Sequence, residues 1–206
     1  MFQVRALACA RGSLLLLEGV QFSLRRGHAL VLRGPNGCGK TTLLRTIAGL
    51  QRPIAGEIDV EADIIAYAGH ADGIKSTLTV AENLQFWADI YGTKTIDSAL
   101  DQMNLRGLAQ RMAQNLSAGQ KRRLGLARLI VTARPIWVLD EPTVSLDTAS
   151  VALFANVIRD HLGSGGMALI ATHIELGLPE VEILDLSAFK ARLPTPGDGG
   201  FDEAFL

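Results

Sequence analysis

The chain has 206 residues, 48% of them hydrophobic and 20% charged, with a formal net charge of -1. That length buries one substantial core and is too short for two independent full-sized domains, so residues 1–206 read as one domain with subdomains. The near-neutral charge carries no excess of Lys and Arg, which argues against a nucleic-acid partner.

In chain order, residues 2–33 alternate short apolar runs with turn signals at Gly12, Gly19 and Gly27, the pattern of short strands. Arg5 and Arg11 interrupt this region, so it does not read as a signal peptide. Cys9 and Cys38, the only cysteines, have no Cys or His at metal-ligand spacing, which excludes a disulfide framework or zinc site and favours a reducing compartment. Residues 28–33 read as a buried strand, the segment to Lys40 is glycine-rich, and Leu43, Leu44, Ile47 and Leu50 mark one face of a helix that Pro53 ends.

From about Leu78 to Leu108 the spacing becomes helical, with Val80, Leu84, Trp87 and Ile90 apolar, and a further helix begins near Ser117; together they predict a helical subdomain at about 76–127. Ile136–Leu139 and Met167–Ala171 are continuously apolar, as central parallel strands covered on both faces are, with residues 148–162 as the crossover helix. The tail, about 192–206, contains Pro194, Pro196, Gly197, Gly199 and Gly200 and is expected to be irregular. Leu14–Leu17 and Leu129–Val131 fall far short of the roughly 20 apolar residues that span a bilayer, so any membrane partner is another polypeptide.

Gly34, Pro35, Asn36, Gly37, Cys38, Gly39, Lys40 and Thr41 match G-x-x-x-x-G-K-[ST] between a predicted strand and a predicted helix, the context of a phosphate-binding loop. The glycines let backbone N–H groups converge on phosphate oxygens, the helix start adds a positive dipole end, and Lys40 supplies a full charge. Thr41 offers a hydroxyl to Mg²⁺, with Thr42 beside it at the helix start. Asp140 and Glu141 end the apolar strand at 136–139, at the edge where open α/β sheets bind ligands. Asp140 is positioned to hold Mg²⁺, and Glu141 to orient or deprotonate an attacking water.

Leu116-Ser117-Ala118-Gly119-Gln120 resembles the signature of the ABC ATPases. Ser117 and Gln120 also form an S-x-x-Q capping box. Lys121, Arg122 and Arg123 then sit in the first helical turn, where positive charge opposes the helix dipole, and an incoming phosphate is expected to relieve the conflict. Ser145-Leu146-Asp147 resembles the D-loop of the same family and His173 its switch histidine, a sensor of the γ-phosphate. The resemblance covers about residues 4–186. It implies an α/β fold, a P-loop ABC ATPase core with a small N-terminal antiparallel β subdomain and a helical subdomain, and ATP and Mg²⁺ as ligands. It also implies a homodimer in which each ATP lies between one copy's phosphate loop and the other's Ser117, Gly119 and Gln120.

Two positions depart from the family pattern. The adenine-stacking aromatic is replaced by the segment Cys9 to Ser13, where Arg11 either stacks its guanidinium on the base or is simply solvated. His70 stands where the family's loop glutamine is expected, and either bonds a water near Mg²⁺ or caps the loop. Gly69-His70-Ala-Asp-Gly73-Ile74-Lys75, then Leu78-Thr79-Val-Ala-Glu82-Asn83-Leu84, and the basic run after Gln120 resemble the ATPase subunits of the cytochrome c maturation system. That resemblance implies integral membrane partners, a peripheral place at the cytoplasmic face of a bacterial inner membrane, a role in haem delivery, and no haem site in this chain. The alternative is a soluble ABC ATPase, such as one serving iron-sulfur assembly, which shares every nucleotide motif. A DNA-repair relative needs a long coiled-coil insertion, and a small-molecule kinase does not need Leu116 to Gln120.

Overall fold

The structure is a computed structural model describing residues 1–60, 62–178 and 181–191. Its elements run β1 (Phe2–Arg11), β2 (Leu14–Leu24), β3 (Ala29–Arg33), α1 (Lys40–Ile47), β4 (Ala55–Asp59), β5 (Ile65–Ala68), α2 (Val80–Tyr91), α3 (Asp97–Gln102), α4 (Ala118–Thr132), β6 (Ile136–Asp140), α5 (Thr148–Gly163), β7 (Met167–Ala171) and β8 (Val181–Asp185).

The N-terminal region is one long antiparallel hairpin, with β4 on the other side of β1. Its strands are 10 and 11 residues long rather than a series of short ones. Gly12 turns the hairpin, whereas Gly19, at φ 69°, lies inside β2 near a register shift against β1. A bulge of that kind bends a strand without ending it.

The second sheet is parallel, in the order β5-β6-β7-β3-β8. Ile136–Leu139 and Met167–Ala171 are fully buried in it, as their unbroken apolarity predicts. Side chains alternate between two cores, because successive residues of a strand face opposite ways. Val31, Trp137, Leu139, Ala168 and Ile170 join α2, α4 and α5 on one side. Leu30, Leu32, Ile136, Val138 and Leu169 join α1, β1 and β2 on the other.

Three sequence expectations shift. Helix α1 stops at Ile47, well before Pro53, and Leu50 is exposed. Gly49, at φ 71°, ends it: Gly49 N donates to Thr46 O and Leu50 N to Arg45 O, the left-handed closure that favours glycine. The helical stretch at 78–108 is broken by Gly92, at φ 70°, into α2 and the short α3. Within α2, Val80 and Leu84 are buried and Trp87 packs on the core, but Ile90 is 56% exposed. The tail at 192–206 lies outside the described residues.

Candidate functional site

Four loops leave the carboxyl edge of the parallel sheet side by side: Gly34–Gly39 after β3, Gly69–His70 after β5, Glu141 after β6 and Thr172–His173 after β7. In the first, Gly34, Gly37 and Gly39 take φ of 148°, 78° and 109°, which a side chain strongly disfavours. A Cβ on Gly39 would stand 3.0 Å from Leu17 Cγ, so the hairpin walls one side of this loop. Helix α1 opens at Gly39 with no side-chain cap and no acid in its first turn, which leaves its N–H groups available to an anion. Lys40 is buried, and its Nζ donates to Gly34 O at 2.8 Å and Pro35 O at 3.2 Å. Thr41 and Thr42 follow it in the first turn.

Asp140 is 1% exposed, and its Oδ2 has no hydrogen-bond partner among the described residues. His70 Nε2 lies 3.7 Å away, too far for a hydrogen bond. An orphaned buried oxygen of this kind costs about 1–3 kcal/mol unless something binds it. One carboxylate and one threonine hydroxyl suit Mg²⁺, which keeps waters and substrate phosphates as its remaining ligands. No cluster of three or more His, Cys, Asp or Glu side chains able to hold a metal occurs among the described residues. Burial first, and then the Asp140 charge, push the Tyr67 hydroxyl on β5 up to about 12.

Glu141 takes φ 48°, a left-handed conformation that costs a glutamate about 1–3 kcal/mol and is held by its surroundings. Its amide donates to Ala171 O at 2.9 Å, and Arg122 Nη2 donates to its carbonyl at 2.8 Å. The carboxylate Oε1 then stands 3.5 Å from His173 Nε2. An acid and an imidazole paired beside a phosphate cradle can orient a water and accept its proton.

Ser117, Gly119 and Gln120 do not join this cluster. Ser117 Oγ accepts from Gln120 N at 3.2 Å and Gln120 Oε1 from Ser117 N at 2.9 Å, the expected capping box at an exposed helix start. A Cβ on Gly119 would stand 3.1 Å from Ser145 O, so the two family-like loops adjoin each other in one chain. Asp147 caps α5 through Ser150 N at 2.7 Å, and that bond holds its carboxyl below the ordinary range. Arg11 is exposed at the end of β1 and forms no ion pair among the described residues.

Two of the three basic residues after Gln120 are already engaged within the chain. Arg122 is 5% exposed and pairs with Asp72 at 2.9 Å, while Arg123 donates to Met103 O and Asn104 O. Their charge is absorbed by carbonyls and a carboxylate rather than left facing the helix dipole. Sequence reading missed Arg122 and Asp72 because their pairing spans 50 residues; a basic residue at a disfavoured helical position was the one signal present. Asn83 was noted only for its resemblance. It is buried and ties the loop before α2 together, accepting from Lys75 N at 2.8 Å and donating to Lys75 O and Thr79 O at 3.0 and 2.9 Å.

Residues 17–144 match the family described as ABC transporter. The cytochrome c biogenesis ATP-binding export protein CcmA of Rhodobacter capsulatus is 64% identical, with 100% of this chain and 99% of that protein covered. The protein of the same name from Cereibacter sphaeroides is 65% identical, with 96% of each covered. A solved protein of Pyrococcus furiosus, described as an ABC transporter ATP-binding protein, superposes with a TM-score of 0.81 at 26% identity, over 92% of this chain and 99% of that one.

Proposed function

The chain belongs to the ABC transporter family as an ATP-hydrolysing protein, and we propose that it drives a membrane complex that handles haem in cytochrome c maturation. The hydrolytic reading rests on one arrangement above all: the Glu141–His173 pair and the orphaned Asp140 oxygen at the sheet edge from which the phosphate loop leaves. The maturation reading is supported by full-length relatives of that name, whose match includes the segment from Gly69 to Leu84. No observation favours the soluble iron-sulfur alternative.

In this reading the β- and γ-phosphates lie against the N–H groups of Asn36 to Thr42, and Lys40 leaves the Gly34 and Pro35 carbonyls for them. Thr41 and Asp140 would hold Mg²⁺, which when bound would supply positive charge against the phosphates. Glu141 orients the attacking water and takes its proton as the new oxygen–phosphorus bond forms and the bond to the β-phosphate oxygen breaks. His173 contacts the γ-phosphate, His70 holds a water near Asp140, and Arg11 lies against the adenine. Two copies pair head to tail, so that Ser117, Gly119, Gln120 and Asp147 of one complete the site of the other.

No helix among the described residues is long and apolar enough to cross a membrane. The membrane contribution therefore comes, in this reading, from integral subunits on whose cytoplasmic side the chain sits, and it assigns no haem contact to this chain. The docking surface is the loop 72–77 with the outer face of the helical segment, where Phe86 is 44% and Tyr91 37% exposed. Trp87 is less available, stacked with Tyr91 and covered by Arg128. Ile74 packs against the core, so Lys75 and Phe86 are the better probes. Lys75→Glu combined with Phe86→Asp is expected to abolish co-purification with membrane subunits and cytochrome c maturation while ATP affinity stays intact. Retention of both complex and maturation sinks the docking assignment.

A further inference from the structure

Arg122 is a buried cation with four acceptors drawn from two loops of the chain. Its Nε donates to Pro142 O at 2.9 Å and its Nη2 to Glu141 O at 2.8 Å. Its Nη1 donates to Gly69 O at 2.8 Å and to Asp72 Oδ1 at 2.9 Å. A planar guanidinium offers donors in a fixed fork, so all four bonds together hold the backbones of two loops at one mutual distance. One loop carries Glu141 in its left-handed conformation, at φ 48°. The other begins beside His70 and continues into the loop 72–77.

Contact between that second loop and α4 is built in. A Cβ on Gly125 would stand 2.8 Å from Asp72 Cβ and 3.0 Å from Asp72 O, so the loop rests on bare helix backbone one turn beyond Arg122. Glu141 is clamped on both sides, by Ala171 O at its amide and by Arg122 at its carbonyl. Releasing the second clamp lets a strained peptide relax toward an ordinary φ, which swings the carboxylate away from His173. Among the described residues Arg122 forms no hydrogen bond or ion pair with the phosphate loop or the Asp140 carboxylate.

We propose that Arg122 is a positioning residue for hydrolysis: it holds the Glu141 carboxylate in its working orientation and ties that orientation to the loop 69–72, so that displacement of this loop changes the hydrolysis step. The proposal rests on the reading of Glu141 as the base that acts on water. It adds that the control point is a single guanidinium on the helix that also carries Ser117 and Gly119.

The test is a set of double-mutant cycles on the full chain, with kcat and KM for ATP from phosphate release and ATP affinity from equilibrium binding. Arg122→Lys keeps the charge opposite Asp72 but loses the fork; kcat is expected to fall about tenfold or more while ATP affinity changes less than about twofold. In a Glu141→Gln background the same substitution is expected to cost nothing further, because it acts through the missing carboxylate. Asp72→Asn is expected to lower kcat by about two- to fivefold and to add nothing to Arg122→Lys. An Arg122→Lys protein with wild-type kcat, or losses that multiply fully with Glu141→Gln, overturns the positioning role. Losses at Asp72 and Arg122 that multiply fully overturn the tie to the loop. Should Arg122→Lys no longer bind ATP, Arg122→Gln, which keeps an amide donor without the charge, is read in the same cycles, and lost binding in both overturns the proposal. A Glu141→Gln protein that hydrolyses ATP at the normal rate defeats the underlying reading instead.

Discussion

The Glu141 carboxylate stands 3.5 Å from the His173 imidazole, each at the end of one of two neighbouring strands, β6 and β7. Glu141 reaches the imidazole from a left-handed backbone, whereas an extended residue there would project its side chain toward one face of the sheet. Lys40, by contrast, is held within its own loop by Gly34 O and Pro35 O. Binding and chemistry are therefore carried by groups that can be removed separately.

Lys40→Ala is expected to abolish ATP binding or turnover, because the cradle loses its full positive charge. Glu141→Gln is expected to preserve binding and slow hydrolysis by about two or more orders of magnitude, since an amide cannot accept the proton. Equilibrium ATP binding and steady-state phosphate release check both. Normal turnover by the Glu141→Gln protein removes the glutamate from the base role.

Ser117 is exposed, already engaged in its own capping box, and joined by no hydrogen bond to the phosphate loop among the described residues. If a second copy brings the complementary half, ATP should drive the Glu141→Gln protein into a two-fold dimer while ADP does so poorly. Ser117→Arg should block that dimer by placing bulk and charge at the contact. Sedimentation showing the same monomer fraction with and without ATP counts against the composite site.

Arg11 lies exposed at the hairpin end, beyond the part of β2 that walls the phosphate loop. Stacking on the base predicts that Arg11→Ala weakens ATP binding by about 1 kcal/mol and that Arg11→Tyr maintains or tightens it. Titrations with ATP and GTP distinguish this from a solvated arginine, for which the alanine variant binds both nucleotides unchanged.

On the opposite edge of the sheet, the His161 ring lies flat on Trp137 at 3.8 Å, with Nε2 3.2 Å from Met167 O. Burial holds its pKa below the ordinary value, with the Met167 and Pro135 carbonyls acting the other way. The unfolded chain takes up this proton near about pH 6.5 and the folded chain only at lower pH. Across that window the unfolded state binds more protons, so stability is present above about pH 6.5 and is lost as the pH falls. His161→Gln is expected to flatten the decline of the urea midpoint between about pH 7.5 and pH 5. An unchanged slope shows that other groups govern acid sensitivity.

Much of the molecule was written in contiguous residues. The spacing from Gly34 to Thr41, the apolar strands at 136–139 and 167–171, and the Ser117–Gln120 capping box each depend on local geometry: a turn, a period of two, a reach of three residues. What sequence could not decide were relations between distant segments. Whether Ile90 is buried, whether Gly19 ends or bends a strand, and where α1 closes depend on what packs against them. The left-handed Glu141 and the burial of Arg122 are decided the same way. A basic residue in a first helical turn is unfavourable by itself and becomes favourable only when Asp72, Gly69 O, Glu141 O and Pro142 O arrive from elsewhere in the chain. Spacing along a chain encodes local hydrogen bonds, whereas the partner of a buried charge is set only once the strands and helices that carry both groups have packed.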